Sequence, residues 1–380
     1  MAEEAKHLID DKGTYSRVDP SGLRHRLRAI PDQCLAAWQS SQKLSLPGAW
    51  SSGSKVVVGG MGGSAMAGDL AADLAASKLS SASTLAPRVP ILVVRDLAFP
   101  FSLDQGTIFI ASSYSGNTEE TIALFDQAVK AKARTIAIGS GGKLSQRARN
   151  AGVPLLHIDV SSEPRTAVAY NLMLILGVLS GLRLLDLDED EATSAISSVS
   201  HNASVWSEDV PAVDNPAKRI ALELMDNLII VYGSGLFSGM ARRWKSQFNE
   251  NAKMWSFYEV LPELLHNSVE AFASPIGQPA MALILDPLTK DDVTSGAVVR
   301  KPGVDSTIHE RHNRVILETL ANHDIPRMVL NGDGSSPLAR ILNMLLLGDY
   351  VSYYLALLRG VDPSPNPSIN AAKELLLGSG

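Results

Sequence analysis

The sequence holds little from which a disulfide framework, a cysteine-rich metal centre or a nucleic-acid surface could be made. It has one cysteine, Cys34, in 380 residues. That excludes an internal disulfide and suits a reducing cytoplasm. Basic residues are outnumbered, 34 Lys and Arg against 40 Asp and Glu, for a net charge of -6. No broad basic face for nucleic acid is expected from this balance. Nor does any apolar run reach the roughly 20 residues that cross a bilayer. The stretch LMLILGVLSGLRLL is interrupted by Gly177, Gly181 and Arg183 and reads as a buried helix within 167–185. The start, MAEEAKHLIDDKG, is acidic and polar, unlike a signal peptide.

What is present is apolar mass in short pieces. Hydrophobic residues make up 45% of the chain, enough for two cores, and the length suggests about two domains. After a helical N-terminal segment (1–45), the runs KVVVGG, ILVVRD, TIFIASS, RTIAIGS and LLHIDV alternate with stretches long enough for crossover helices. Unalternating Val/Ile runs of this kind mark strands buried on both faces, and the alternation marks a doubly wound parallel α/β sheet. The acidic run DLDEDEAT is a helix start or a linker, and the connection between halves is expected within 186–215. The pattern then restarts. NLIIVYGSGLFSGMARRW resembles SKVVVGGMGGSAMAGDL, with Val56 aligned on Ile229 and, at the same offset, Ile108 on Met281. We read this as a duplicated α/β domain, the first at 46–190 and the second at 205–380, with a polar insertion at 290–312.

Two loops carry candidate chemistry. GGMGGSA satisfies the loose form of a dinucleotide fingerprint, and Asp96, at the end of the next strand, is the acid such a reading would place on a ribose. A tight strand-to-helix turn with no ligand explains the same glycines. The second loop, SSYSGNTEET at 112–121, ends a strand and opens a helix. Ser113, Ser115 and Thr118 can donate to phosphate oxygens, and the helix N-terminus adds partial positive charge. Gly116 permits positive φ and close approach. No Lys follows, as a triphosphate-binding loop would need, so the loop reads as a cradle for one phosphomonoester. The bland alternative is Thr118 capping the helix with Glu120 or Thr121. The matching place in the second half, ILDPLTKDD, lacks the hydroxyls.

Taken with SYSGNTEET and GMGGSAMAG, the later stretches FNENAK, LPELLHNS and VDPSPNPSINAAKELL are similar to the bifunctional phosphoglucose/phosphomannose isomerase family, built on sugar isomerase (SIS) domains. The resemblance spans about 50–378. It implies two SIS domains, each a three-layer αβα sandwich around a doubly wound parallel sheet, with helical segments at both ends. It further implies a homodimer, no metal, no cofactor, and interconversion of an aldose 6-phosphate with fructose 6-phosphate. By motif, Gly62, Gly63 and Ser64 would line the sugar site, and Ser113, Ser115 and Thr118 would hold the phosphate. Arg165 of SSEPRTA would sit by the reacting carbons, and Glu250 would be the base. His266 would open the ring from the neighbouring subunit, and Lys373 would assist the ring and phosphate end.

The chemistry needs these types. A base must carry a proton between C2 and C1, a cation must steady the enediolate, and an acid/base must open the ring. An enclosed carboxylate suits the first, an always-charged guanidinium the second and a histidine the third. The plain alternatives are a surface Glu250 on a charged helix at 242–253, a capping or core His266, an Arg165 paired with Glu163, and a solvated Lys373. His309 and His312 have Glu310 between them but lack zinc-protease spacing. The aromatic run WSFY at 255–258 is expected to pack rather than to meet sugar. The family often has an acid where Ser268 stands, and a smaller residue is expected at Trp255. Rival readings are a non-catalytic sugar-phosphate sensor and, from GGMGGSA, a nicotinamide dehydrogenase. A membrane or nucleic-acid partner is not expected.

Overall fold

The computed structural model describes residues 2–79, 89–160, 162–274, 276–288 and 306–378. Four helices open the chain: α1 (Ala2–Asp10), α2 (Lys12–Val18), α3 (Leu23–Arg28) and α4 (Ile30–Gln42). The first sheet follows, with β1 (Lys55–Gly59), α5 (Gly62–Leu79), β2 (Ile91–Val94), β3 (Thr107–Ser112), α6 (Glu119–Lys130), β4 (Arg134–Gly139), α7 (Gly142–Asn150) and β5 (Leu155–His157). Its strand order is β2-β1-β3-β4-β5 and every pair is parallel.

The unalternating strand runs are explained by the side chains' two directions. Val56, Val58, Ile108, Ile110, Ile136 and Ile138 enter a core shared with α5 and with the buried helix α8 (Val168–Gly181). Val57, Phe109, Ala111 and Ala137 face Leu124, Phe125 and Leu144 of α6 and α7. With both faces covered, period-two alternation vanishes from the sequence.

The acidic run, read as a helix start or a linker, opens α9 (Glu189–Val205), started by Asp188, whose side chain accepts from the Glu191 N–H. Then come α10 (Pro216–Leu224), β6 (Leu228–Ser234), α11 (Ser238–Glu250), β7 (Ser256–Leu261), β8 (Ala280–Asp286), α12 (Ser306–Asn322), β9 (Arg327–Asn331), α13 (Pro337–Leu358) and α14 (Pro367–Gly378). The described strands of this second sheet run β7-β6-β8-β9, all parallel. Helix α13 is long and apolar enough to cross a membrane, but 94% of its apolar window is buried in the protein. One continuous core runs from Val56 and Ile108 through α5, α8, α11 and α13 to Ile229 and Leu283. The helices between the sheets belong to both.

The internal repeat reappears as register. Val56 pairs with Ile108, and Ile229, at the same offset, pairs with Met281. Gly62 has φ +49 and its counterpart Gly235 has φ +50. The expected insertion at 290–312 lies outside the described residues up to 305, and its remainder opens α12.

Candidate active site

The first glycine turn is held against two other segments. A Cβ on Gly60 would fall 2.7 Å from the Ser112 carbonyl, and one on Gly63 would fall 2.8 Å from the Pro164 carbonyl. A Cβ on Gly62 would meet nothing within 4 Å, so the turn is open on that side. Asn171 of α8 donates to Ser112 Oγ at 2.8 Å and reaches the Ser64 carbonyl at 3.5 Å, joining the turn to the end of β3. Ser64 itself is buried.

The hydroxyl loop closes on itself. Ser113 Oγ lies 2.9 Å from Thr118 Oγ1 and accepts from the Gly116 N–H at 3.1 Å. Ser115 Oγ accepts from the Asn117 N–H at 3.2 Å. Thr118 stands at the N-cap of α6 in extended conformation, but its side chain makes no cap bond. The capping alternative is therefore not how the hydroxyl is used. Gly116 has φ +67, and a Cβ there would lie 1.9 Å from the Gly141 carbonyl; only glycine fits. Ser113 is buried, Thr118 half-buried and Ser115 exposed. The loop thus offers hydroxyls and the free N–H groups of a helix start, a combination suited to an anion.

Tyr114 ties this loop to the next segment. Its hydroxyl bonds the Val160 and Ser162 carbonyls at 2.8 and 2.7 Å and accepts from the Ser162 N–H at 2.9 Å. Three residues on is Arg165, only 3% exposed. Its Nε donates to Asn251 Oδ1 at 2.7 Å, and its Nη2 to the carbonyls of Pro363 and Ser364 at 2.8 and 2.9 Å. Glu163, its partner in the plain alternative reading, stands 4.0 Å away and is engaged by Arg26 at 2.7 Å. Burial pulls the Arg165 guanidinium below its ordinary value, and the charge of Glu250 opposes that.

Glu250 ends α11 rather than sitting inside a longer helix. It is half-buried, and its Oε2 accepts from Asn366 Nδ2 at 3.3 Å. Lys253 Nζ donates to the Glu250 carbonyl and, at 3.2 Å, to Asn366 Oδ1. Burial lowers the Lys253 pKa and the Arg165 charge lowers it further. A carboxylate whose charge acts on the Arg165 guanidinium, and which shares Asn366 with the Lys253 ammonium, can exchange a proton in a field of cations that steadies the resulting anion.

Gly62, Gly63, Ser64, Ser113, Ser115, Thr118, Arg165 and Glu250 are therefore linked through contiguous contacts. His266 and Lys373 are not. His266 is exposed at the end of a 3-10 turn, Glu263–His266, and Lys373 lies on α14, whose described side chains are all exposed. Among the described residues neither bonds to Arg165 or Glu250. Tyr114, Asn171, Asn251 and Asn366 were not singled out from sequence. Asn251 follows the candidate base within FNENAK, which was the available signal; Asn366, in SPNPS, is 116 positions from Glu250 and meets it only in the fold.

Other expectations changed. Trp255 and Phe257 were expected to pack, but they are 80% and 50% exposed and stack on each other at 6.3 Å along the sheet's edge strand. Ser268 Oγ donates to Glu259 at 3.1 Å. The side chains of His309 and Glu310 lie outside those described. A cavity of about 840 Å³ opens on the second sheet beside Tyr232, Phe257, Phe272 and Met281. None of the ten candidate residues lines it.

Residues 213–376 match the family described as bacterial phospho-glucose isomerase C-terminal SIS domain. A bifunctional phosphoglucose/phosphomannose isomerase of Caldicellulosiruptor bescii is 32% identical over 357 residues, covering 91% of this chain and 96% of that protein. The chain belongs to the bifunctional phosphoglucose/phosphomannose isomerase family. The family member of Thermoplasma volcanium is 33% identical, covering 84% of this chain and 90% of its own. Among solved structures, a hypothetical protein of Thermus thermophilus superposes with TM-score 0.71 at 15% identity, over 100% of this chain and 94% of that one. A glucose-6-phosphate isomerase like protein of the same organism gives 0.59 at 21%, over 96% and 98%. At these identities the likeness is one of fold, and it carries the parallel-sheet SIS architecture.

Proposed function

We propose that this family member is a sugar-phosphate isomerase that interconverts glucose 6-phosphate, and mannose 6-phosphate with it, with fructose 6-phosphate through a cis-enediol. The observation that supports the reading is the bond from Arg165 Nε to Asn251, the residue after Glu250, made by a segment that abuts the glycine turn and is stapled by Tyr114 to the hydroxyl loop. Ser113, Ser115, Thr118 and the first N–H groups of α6 hold the phosphate. Gly62, Gly63 and Ser64 leave room for the sugar. Glu250 takes the proton from C2 of the open aldose and returns it to C1, while a proton passes from O2 to O1. Arg165 steadies the enediolate oxygen. Glucose and mannose 6-phosphates differ only at C2 and give the same enediol, so a base able to reprotonate either face serves both. The conversion is internal to the substrate and calls for no cofactor.

In the same reading residues 46–190 and 205–380 are the two SIS domains. The enzyme works as a homodimer in which the exposed His266 completes the neighbour's site as the ring-opening group, and Lys373 assists at the ring and phosphate end. The test is a coupled assay on the purified chain with fructose 6-phosphate and EDTA, reading glucose 6-phosphate and mannose 6-phosphate separately. Formation of either product supports the isomerase. Sugar-phosphate binding without product would replace it with a sensor.

A further inference from the structure

A ring of buried hydrogen bonds starts and ends on Asp349 and passes through Arg165 and through Asn251, the neighbour of Glu250. Asp349 lies on α13 and is fully buried. Its Oδ1 accepts from Arg243 Nη2 and from Gln247 Nε2, each at 2.6 Å. Arg243 Nη2 also donates to the backbone carbonyl of Arg165 at 2.7 Å, while Gln247 Oε1 accepts from Arg243 Nη1 at 2.7 Å and fixes the guanidinium plane. From the other side, Arg165 Nε donates to Asn251 Oδ1 at 2.7 Å. Asn251 Nδ2 donates to Ser352 Oγ at 3.0 Å, and Ser352 Oγ donates to the Asp349 carbonyl at 3.0 Å.

The ring therefore grips Arg165 at two points, its own carbonyl and its Nε. It also grips Asn251, the residue that follows Glu250 at the end of α11. Arg243, Gln247, Asn251, Asp349 and Ser352 are each at most 2% exposed, so water does not compete for these bonds. Arg165 comes from the segment before α8 and the rest from α11 and α13. The Pro363 and Ser364 carbonyls hold the outer Nη2 of the head group, and the ring holds its Nε and its backbone.

We infer that Asp349, acting through Arg243 on one arm and Ser352 and Asn251 on the other, is the positioning residue that sets Arg165 against Glu250. This rests on the assignment of Arg165 and Glu250 to the site. Asp349 touches no substrate in this account. A site held by such a ring loses rate when it loosens, because a misplacement of about 1 Å costs roughly 100-fold.

The experiment is a double-mutant cycle on the full chain, with kcat and KM for fructose 6-phosphate and Tm measured for each protein. Ser352→Ala opens one arm with no change of charge and is expected to lower kcat about 10-fold, with KM within about twofold of wild type. Asp349→Asn removes the charge from the other arm, keeping a weaker acceptor, and is expected to lower kcat roughly 100-fold. Because it leaves Arg243 without its counter-ion and threatens folding, the Ser352→Ala cycle is the deciding one. In an Arg165→Ala background, Ser352→Ala should cause no further loss of kcat, since the group it positions is gone. A purely structural role predicts the same loss in both backgrounds, and that result would overturn the proposal while leaving the site intact. Full activity of Arg165→Ala alone would overturn the site assignment and this inference together. Unchanged kcat in Ser352→Ala, at unchanged Tm, would overturn the inference alone.

Discussion

The two glycine turns that begin the two halves have the same backbone and opposite contents. Gly62 and Gly235 share a left-handed φ near +50 at equivalent positions. In the first turn the next residues are Gly63 and Ser64, and the space beside Gly62 is empty. In the second they are Leu236 and Phe237, both buried. The backbone around Phe237 is so close that a Cβ on Gly233 would lie 2.2 Å from its carbonyl. The second turn has been filled with side chains and packed against α5, where Asp73 accepts the Gly239 N–H at 2.7 Å. One copy of the motif leaves open space beside its glycine, and the other fills that place with core side chains. The strand-end loops differ in the same way: hydroxyls follow β3, and Pro287-Leu288 follows β8. What the second half adds instead is Glu250.

The halves are therefore expected to fail differently when damaged. The largest effect is expected from Glu250→Gln: kcat falls about 1000-fold or more, the scale of a lost general base, while binding of fructose 6-phosphate by calorimetry is retained. The complementary change in the first half, Ser113→Ala, should raise KM about 10-fold, the cost of roughly one hydrogen bond to a charged group, and leave kcat near wild type. Equal kcat losses from both would erase the distinction between the halves.

Next in size is the filled turn. Phe237→Ala should cost about 3 to 4 kcal/mol of stability through the cavity it leaves, read by chemical denaturation, with the KM of the remaining folded protein unchanged. A smaller pair sharpens the comparison directly. Gly62→Ala and Gly235→Ala each force alanine into a left-handed conformation at about 1 kcal/mol. Only the first should also change KM, since only that turn is open. A KM shift from Gly235→Ala would place ligand in both turns.

The smallest effect is pH-dependent. Burial raises the Asp73 carboxyl from 3.8 to about 7, the Gly239 N–H works against that, and the Asp69 charge adds to it. A carboxyl whose pKa is raised by folding holds its proton longer in the native state. Its stabilising share is present below pH 3.8 and is lost as pH rises to about 7. Asp73→Asn keeps an acceptor for Gly239 and has nothing to ionise. Its Tm should exceed wild type at pH 8, and the difference should shrink as the pH is lowered to 4. A Tm gap independent of pH would show that Asp73 is not the titrating group.

The α/β class, the parallel winding and the duplication were legible in the sequence, because strands buried on both faces must be apolar throughout. A shared backbone turn also imposes glycine at the same places. The hydroxyl loop was legible for a local reason: its donors lie within seven residues. The helical nature of 189–205 was hidden by its acidic start, which reads equally as cap or linker. The exposure of Trp255 and Phe257 was hidden because β7 is an edge strand, a fact of sheet order rather than of composition.

The sequence by itself determined which residue types are available and which stretches must be strands, turns or buried helices, since those depend on neighbours a few positions away. Only the tertiary structure decided that Arg165, separated from Asn251 by 86 positions and from Pro363 by 198, would be held between them. It also decided that Asp349 would close the ring behind them. Those contacts are made by chain segments whose approach is set by the packing of α8, α11 and α13 into one core, and no local pattern encodes which buried polar groups that packing will bring together.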